Sequence, residues 1–375
     1  MNGVGIIHTA DLHLDAPFSA FSPEKAERRR EQLRQCFLSL VKVARERGTR
    51  LFLISGDLFD SEYATKDTAE LLRSGFESLP ECRFFVSPGN HDPYTGASVY
   101  ASAEFPENVH VFRGRECVPV PELGVNVYGY GFVAPNCTES PVDGYGVLDS
   151  NKINILVCHG DMSSVLSTNG PVSLREIGDS GFDYVALGHI HRASGVRCES
   201  GVHYAYPGCL CGRSFDETGR KTALVGTVGK GEVSLEEVCV SAVRFETADC
   251  DLTGCATRRE ATERLCRAAE GFGADTVLRL TAFGDTESEL ILPPDLLKGL
   301  SEAEVQIVDL TRPVMSFTRV ESESTLKGIF YKTMCERIDK AQPGSEEHRI
   351  LVKALKYGLG ALGEKPLTDF GEDAE

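Results

Sequence analysis

Short, nearly continuous apolar runs that stop abruptly at polar or glycine-containing clusters mark the first two thirds of the chain. They are GVGIIHTADLH from Gly3, RLFLISGDLFD from Arg50, CRFFVSPGNHD from Cys82, INILVCHGD from Ile153 and DYVALGHIH from Asp183. Such runs of Val, Ile, Leu and Phe predict strands buried on both faces. Between the first two, SPEKAERRREQLRQCFLSLVKVARERG places Leu33, Phe37, Leu40, Val41 and Ala44 at helical spacing, with Ser22 and Pro23 as a start signal. TKDTAELLRSGFESL predicts another helix between the second and third. Strands alternating with helices indicate a layered α/β domain.

Beyond about residue 200 the strands become glycine-punctuated, as in VHYAYPG and ALVGTVGKGEVSLEEVCV. They suggest a second, more antiparallel sheet completing a sandwich. From Glu246 the pattern restarts with a strand-like opening, a helix in ATRREATERLCRAAEGFG, and strands in DTVLRLTAFG and EVQIVDLTRP. That is a small separate α/β unit. Helical stretches STLKGIFYKTMCERIDKA and SEEHRILVKALKYGLGAL follow, and the final PLTDFGEDAE is expected to fray. The expected division is 1–245, 246–318 and 319–375.

Composition narrows the function. A chain of 375 residues, 41% hydrophobic and 25% charged, suits a soluble globular protein with a large core. The 13 cysteines are odd in number and include no CxxC pair, so reduced thiols are expected rather than a disulfide framework or a cysteine zinc site. The N-terminus has no signal-peptide pattern, and no apolar stretch nears the roughly 18 residues of a membrane span. The expected location is therefore cytoplasmic, with no membrane partner. The net charge of −17 disfavours non-specific attraction to polyanions, so a nucleic-acid substrate would need cations from bound metal or a partner.

Ligands of open α/β sheets bind beyond the carboxyl ends of the strands. All five runs carry their unusual polar residues there: Asp11 and His13, Asp57, Asn90 and His91, His159, and His189 with His191. In extended chain, residues i and i+2 project to one side, so each Asp/His or His/His pair can reach a common point. Gly56, Gly89 and Gly188 each precede a candidate ligand and permit tight turns or close backbone approach. Mixed carboxylate, carboxamide and imidazole donors suit Mn²⁺, Fe²⁺ or Zn²⁺ better than Mg²⁺ or Ca²⁺. Eight such residues are too many for one ion. A pair is expected, with a carboxylate between the ions and a solvent hydroxide as nucleophile. His8, His110, His203 and His348 read as packing or hydrogen-bonding residues. Asp15, Asp92 and Asp161 either orient imidazoles or serve turns, and the basic run EKAERRREQLRQ reads as a solvated helix face.

DLH, GDLFD, GNHD, CHGD and GHIH, in that order, resemble the calcineurin-like metallophosphoesterase superfamily. HTADLHLDAPF at the start and YPGCLCGRSFDETGRKTALV from Tyr206 resemble the bacterial SbcD/YhaO group of DNA repair exonucleases within it. The resemblance covers roughly residues 1–240. It implies a four-layer α-β-β-α sandwich with a small C-terminal α/β cap and terminal helices that could dock a partner. It implies two divalent ions, Mn²⁺ before Fe²⁺ or Zn²⁺. One would be held by Asp11, His13 and His191 and the other by Asn90, His159 and His189, with Asp57 between them. His91 would face the scissile phosphate, stabilising the transition state or protonating the leaving oxygen. Some members carry a second active-site histidine three residues after the bridging aspartate. Asp60 stands there in this chain, and an acidic side chain cannot replace an imidazolium facing phosphate. The implied function is hydrolysis of DNA phosphodiester bonds, exonucleolytic and endonucleolytic, alongside an SbcC-type coiled-coil ATPase and with pairing of two copies. The cap segment 246–312 has 14 acidic and 7 basic residues, which counts against its holding DNA alone and leaves a small phosphoester as the alternative substrate.

Overall fold

The computed structural model describes residues 3–60, 64–287, 289–313 and 324–362, in two compact units, Met1–Phe245 and Glu246–Glu375. In the first, β1 (Val4–Thr9) leads into α1 (Pro23–Arg47). The Ser22 side chain caps α1, Pro23 opens it, and Gly48 ends it in the left-handed conformation. The chain continues through β2 (Leu51–Ile54), α2 (Lys66–Glu77), β3 (Arg83–Val86), the single turn α3 (Val99–Ser102) and β4 (Val109–Val111). Then come β5 (Arg115–Val120), β6 (Val125–Tyr130), β7 (Ile153–His159), α4 (Leu174–Asp179), β8 (Tyr184–Gly188), β9 (Arg197–Glu199), β10 (Val202–Ala205), β11 (Ala223–Gly229) and β12 (Glu232–Val238).

These strands form two six-stranded sheets, ordered β12-β11-β1-β2-β3-β4 and β5-β6-β7-β8-β10-β9. Of the strands past residue 200 whose pattern suggested a second sheet, β10 joins that sheet but β11 and β12 do not. β10 lies parallel to β8, whereas β11 runs antiparallel along β1 and carries β12 on its far side. β1 has β2 on one edge only, and β11 covers the backbone groups of the other. The second sheet rests instead on β7 and β8, two of the five motif strands, with β6 beside them and β5 at the edge.

Alternation along the strands builds the layers. Ile6, Leu51, Leu53 and Phe85 of the first sheet meet Val127, Ile155, Val157 and Ala186 of the second. The opposite faces of β2 and β3, through Phe52, Ile54 and Phe84, pack on Phe37 and Leu40 of α1 and Leu72 and Phe76 of α2. On the outer face of the second sheet, Leu156, Val185 and Leu187 pack on Ile177 of α4 and on Phe182. Each fully buried side chain of this kind contributes roughly 1.5–3 kcal/mol. The result is the expected α-β-β-α sandwich, with α4 and its loops as a thin fourth layer.

In the second unit, β13 (Arg244–Asp251), β14 (Thr276–Thr286) and β15 (Glu304–Pro313) form a three-stranded sheet, and α5 (Arg258–Ala269) packs Ala261, Leu265 and Ala269 on Leu278 and Leu280. α6 (Leu326–Ile338) and α7 (Glu346–Ala361) pair through Met334, Leu355 and Leu359. The boundary expected at residues 318–319 and the terminal PLTDFGEDAE lie outside the described residues. No helix among the described residues is long and apolar enough to cross a membrane.

Candidate metal centre

The loops leaving β1 and β2 are stitched together by backbone hydrogen bonds. Asp11 N–H donates to the Gly56 carbonyl at 3.0 Å and His13 N–H to that of Asp57 at 2.9 Å. In this arrangement Asp11, His13, Asp57 and His189 all take positive φ, at 52°, 45°, 50° and 108°. Non-glycine residues rarely adopt such backbone, at a cost of about 1–3 kcal/mol each, and it clusters at functional sites. Two glycines make the approach feasible. A Cβ at Gly188 would lie 1.7 Å from the Ser55 carbonyl oxygen, and one at Gly89 would lie 2.3 Å from Asp57 Oδ1. Asp92 secures the base of the site by accepting from the N–H groups of Asp57, Leu58, Phe59 and Gly89 and from the Tyr100 hydroxyl.

The eight residues picked out at the strand ends converge. His13 Nε2 lies 3.3 Å from His191 Nε2, which is 3.5 Å from Asp11 Oδ1. His159 Nε2 lies 2.9 Å from Asn90 Oδ1 and 3.2 Å from His189 Nδ1. Asp57 Oδ2 stands between the two groups, 3.7 Å from His13 Nε2 and 3.5 Å from His159 Nε2. His91 sits beside them, half-exposed, with its N–H on Asp57 Oδ1 at 2.9 Å and its Nδ1 on Asp60 Oδ1 at 2.8 Å.

The donor chemistry fits a cation. His159 Nδ1 donates to the Ser55 carbonyl at 3.0 Å, so in the metal-ligating form of the ring the lone pair is on Nε2. That lone pair faces the Asn90 and Asp57 oxygens, which are acceptors too. Lone pairs aimed at lone pairs repel unless positive charge stands among them. His13 Nδ1, fully buried, has no hydrogen-bond partner among the described residues. Burial holds the pKa of His13 well below the usual imidazole range and that of His189 at about 4, so both are neutral, the form that ligates metal. Burial also opposes charge on His191, but hydrogen bonds with Asp11 and Glu217 prevail and lift it to about 9.

Support for the imidazoles comes partly from residues the sequence did not single out. His191 Nδ1 lies 2.6 Å from Glu217, whose carboxyl is held down at about 2 by His191 and Arg213 against the effect of burial. Arg213 donates to Glu217 at 3.0 Å and reaches within 3.8 Å of Asp60 Oδ2. Both lie in the YPGCLCGRSFDETGRKTALV stretch, but nothing in its spacing marks them. Asp161 Oδ2 lies 3.7 Å from His189 Nε2, whereas Asp15 binds Arg34, Thr65 and Thr68 and joins α1 to the start of α2. His8 hydrogen-bonds Tyr184 and Ser55 within the core.

The family model for calcineurin-like phosphoesterases matches residues 4–193, from β1 to just past His191, and so contains all eight converging residues. The chain belongs to the calcineurin-like phosphoesterase family. An uncharacterized metallophosphoesterase of Bacillus subtilis (strain 168), YhaO, is 28% identical over 375 residues, covering 92% of this chain and 90% of its own. Membership in the metallophosphoesterases implies metal-dependent hydrolysis of phosphoesters, and the His/Asp cluster is the candidate place for the metal. Glu217 and Arg213 lie beyond the matched segment and brace it from outside.

Proposed function

We propose that this metallophosphoesterase hydrolyses DNA phosphodiester bonds at a dinuclear centre. Asp11, His13 and His191 would hold one divalent ion and Asn90, His159 and His189 the other, with Asp57 shared. The observation that carries this reading is the pair of nitrogen-to-nitrogen imidazole contacts, 3.3 Å and 3.2 Å, with one Asp57 oxygen within 3.7 Å of both groups. Mn²⁺ suits the mixed donors best. The bound ions would supply a hydroxide near neutral pH and offset charge on the scissile phosphate.

The remaining work falls to the chain. Asp60 and the Asp57 carboxylate fix the His91 ring and backbone, and the hydrogen bond with Asp60 raises the His91 pKa. His91 is then placed to donate a proton from Nε2 to the leaving oxygen. Asp60 thus acts through His91 and does not stand in for a second histidine. The SbcD/YhaO-like stretches favour DNA as substrate. A net charge of −17 favours assembly with a partner that supplies basic surface, such as an SbcC-type coiled-coil ATPase, and a second copy of the chain would add a second active site.

The same acidity supports a second reading, a phosphodiesterase for a nucleotide-sized substrate. The two separate on comparing bis-p-nitrophenyl phosphate with end-labelled linear duplex DNA, with Mn²⁺ and with EDTA, in wild type and His91→Ala. Cleavage of both substrates with Mn²⁺, and loss of DNA cleavage in the variant, is the expected result. Cleavage of the small diester alone, even at low salt and with the ATPase added, would overturn the DNA reading.

A further inference from the structure

A groove of about 770 Å³ opens beside the His189–His191 loop, and no Asp or Glu lines it among the described residues. Ile190 and Arg192, which alternate with the two histidines, lie on its wall, and Arg197 edges it. Several surface arginines elsewhere are matched by carboxylates, Arg30 by Glu27, Arg47 by Glu236, Arg73 by Glu70 and Glu77, and Arg175 by Asp179, while others, such as Arg28 and Arg50, stand singly on the surface without such a pair among the described residues. Arg192 and Arg197 are exposed and have no carboxylate partner among the described residues; Arg197 makes only a long 3.4 Å bond to the Ser194 carbonyl. In a chain with 56 acidic and 39 basic residues, two unmatched cations on one carboxylate-free groove form a local anion site. The rest of the lining mixes apolar and aromatic side chains with Ser163, Ser173 and Ser194, and Val165 and Leu174 are its exposed apolar members, 78% and 48% accessible. An anion site joined to an apolar surface matches a nucleotide, with phosphate at one end and a base at the other. The volume lies within the roughly 300–1,000 Å³ of small-ligand sites.

We propose that this groove is the subsite for the nucleotide next to the scissile bond, its phosphate on Arg192 and Arg197 and its base against Ile190, Val165 and Leu174. The inference rests on the DNA reading above. It is tested in the full chain with Mn²⁺ on two substrates, single-stranded dT of ten residues and bis-p-nitrophenyl phosphate, which has no second phosphate. The Arg192→Ala/Arg197→Ala pair should lose about ten-fold or more in kcat/KM on the oligonucleotide, mostly through KM, and flatten its salt dependence by about two phosphate contacts. On the small diester the loss should stay within about two-fold, and Lys at both positions should restore most of the oligonucleotide activity. Equal losses on both substrates, or none on either, would overturn the subsite. If the wild type cuts only the small diester, even at low salt and with the ATPase added, the DNA reading fails. The subsite is then decided by binding of fluorescein-labelled dT in EDTA: binding that the double variant abolishes upholds it, and equal binding or no wild-type binding overturns it.

Discussion

Asp60 Oδ1 lies 2.8 Å from His91 Nδ1, so the acidic residue three positions beyond Asp57 holds an imidazole in place. If Asp60 works through His91, the two should behave as one unit. His91→Ala should cost about 10²–10⁴ in kcat on a diester with a poor leaving group. Asp60→Ala should cost about ten-fold on the same substrate, and the double variant should match His91→Ala alone. With p-nitrophenolate, which leaves without protonation, both losses should shrink. Additive losses would separate Asp60 from His91.

Glu217 and Arg213 support a different imidazole, where His191 Nδ1 meets Glu217 at 2.6 Å. Residues that orient a ligating imidazole typically set metal affinity by about 10–100-fold. Glu217→Ala should therefore raise the Mn²⁺ concentration needed for half-maximal activity by about that factor, and excess Mn²⁺ should recover most of the rate. Asp60→Ala should show no such recovery. A titration of activity against Mn²⁺ in both variants checks the contrast.

The close passage of Gly188 past the Ser55 carbonyl predicts a steric effect unrelated to chemistry. A Cβ there would lie 1.7 Å from that oxygen, and neither backbone can yield without moving β8 or the loop bearing Asp57. Gly188→Ala should destabilise by about 3 kcal/mol or more, lowering the Tm of this unit by about 6–12 °C. Gly96→Ala, where nothing lies within 4 Å, should shift the Tm by less than about 2 °C. Differential scanning calorimetry of the two variants makes the comparison.

How much of this was legible depended on range. Each of Asp11, His13, Asp57, Asn90, His159, His189 and His191 hangs from the end of an apolar run, so local pattern alone located it. The helix start at Ser22 and Pro23 was legible for the same reason. Strand partners were not. The apolar content of β11 tells that it is covered, but pairing with β1 across more than 200 residues is decided by which edge is open. Glu217 was hidden differently. It is one of 56 acidic residues, and only folding brings it to a histidine 26 positions away. Asp60 was noticed as a departure from the histidine expected there, yet its partner His91 lies 31 residues on and could not be read from spacing.

The most direct test of the account is a count of metal. The chain should be stripped with EDTA, equilibrated with Mn²⁺, freed of unbound ion and analysed for manganese per chain, in wild type and Asp57→Asn. Two ions in the wild type, reduced in the variant together with hydrolysis of bis-p-nitrophenyl phosphate, is the predicted result. One ion or none in an active wild-type chain, or an undiminished count in Asp57→Asn, would contradict the dinuclear centre.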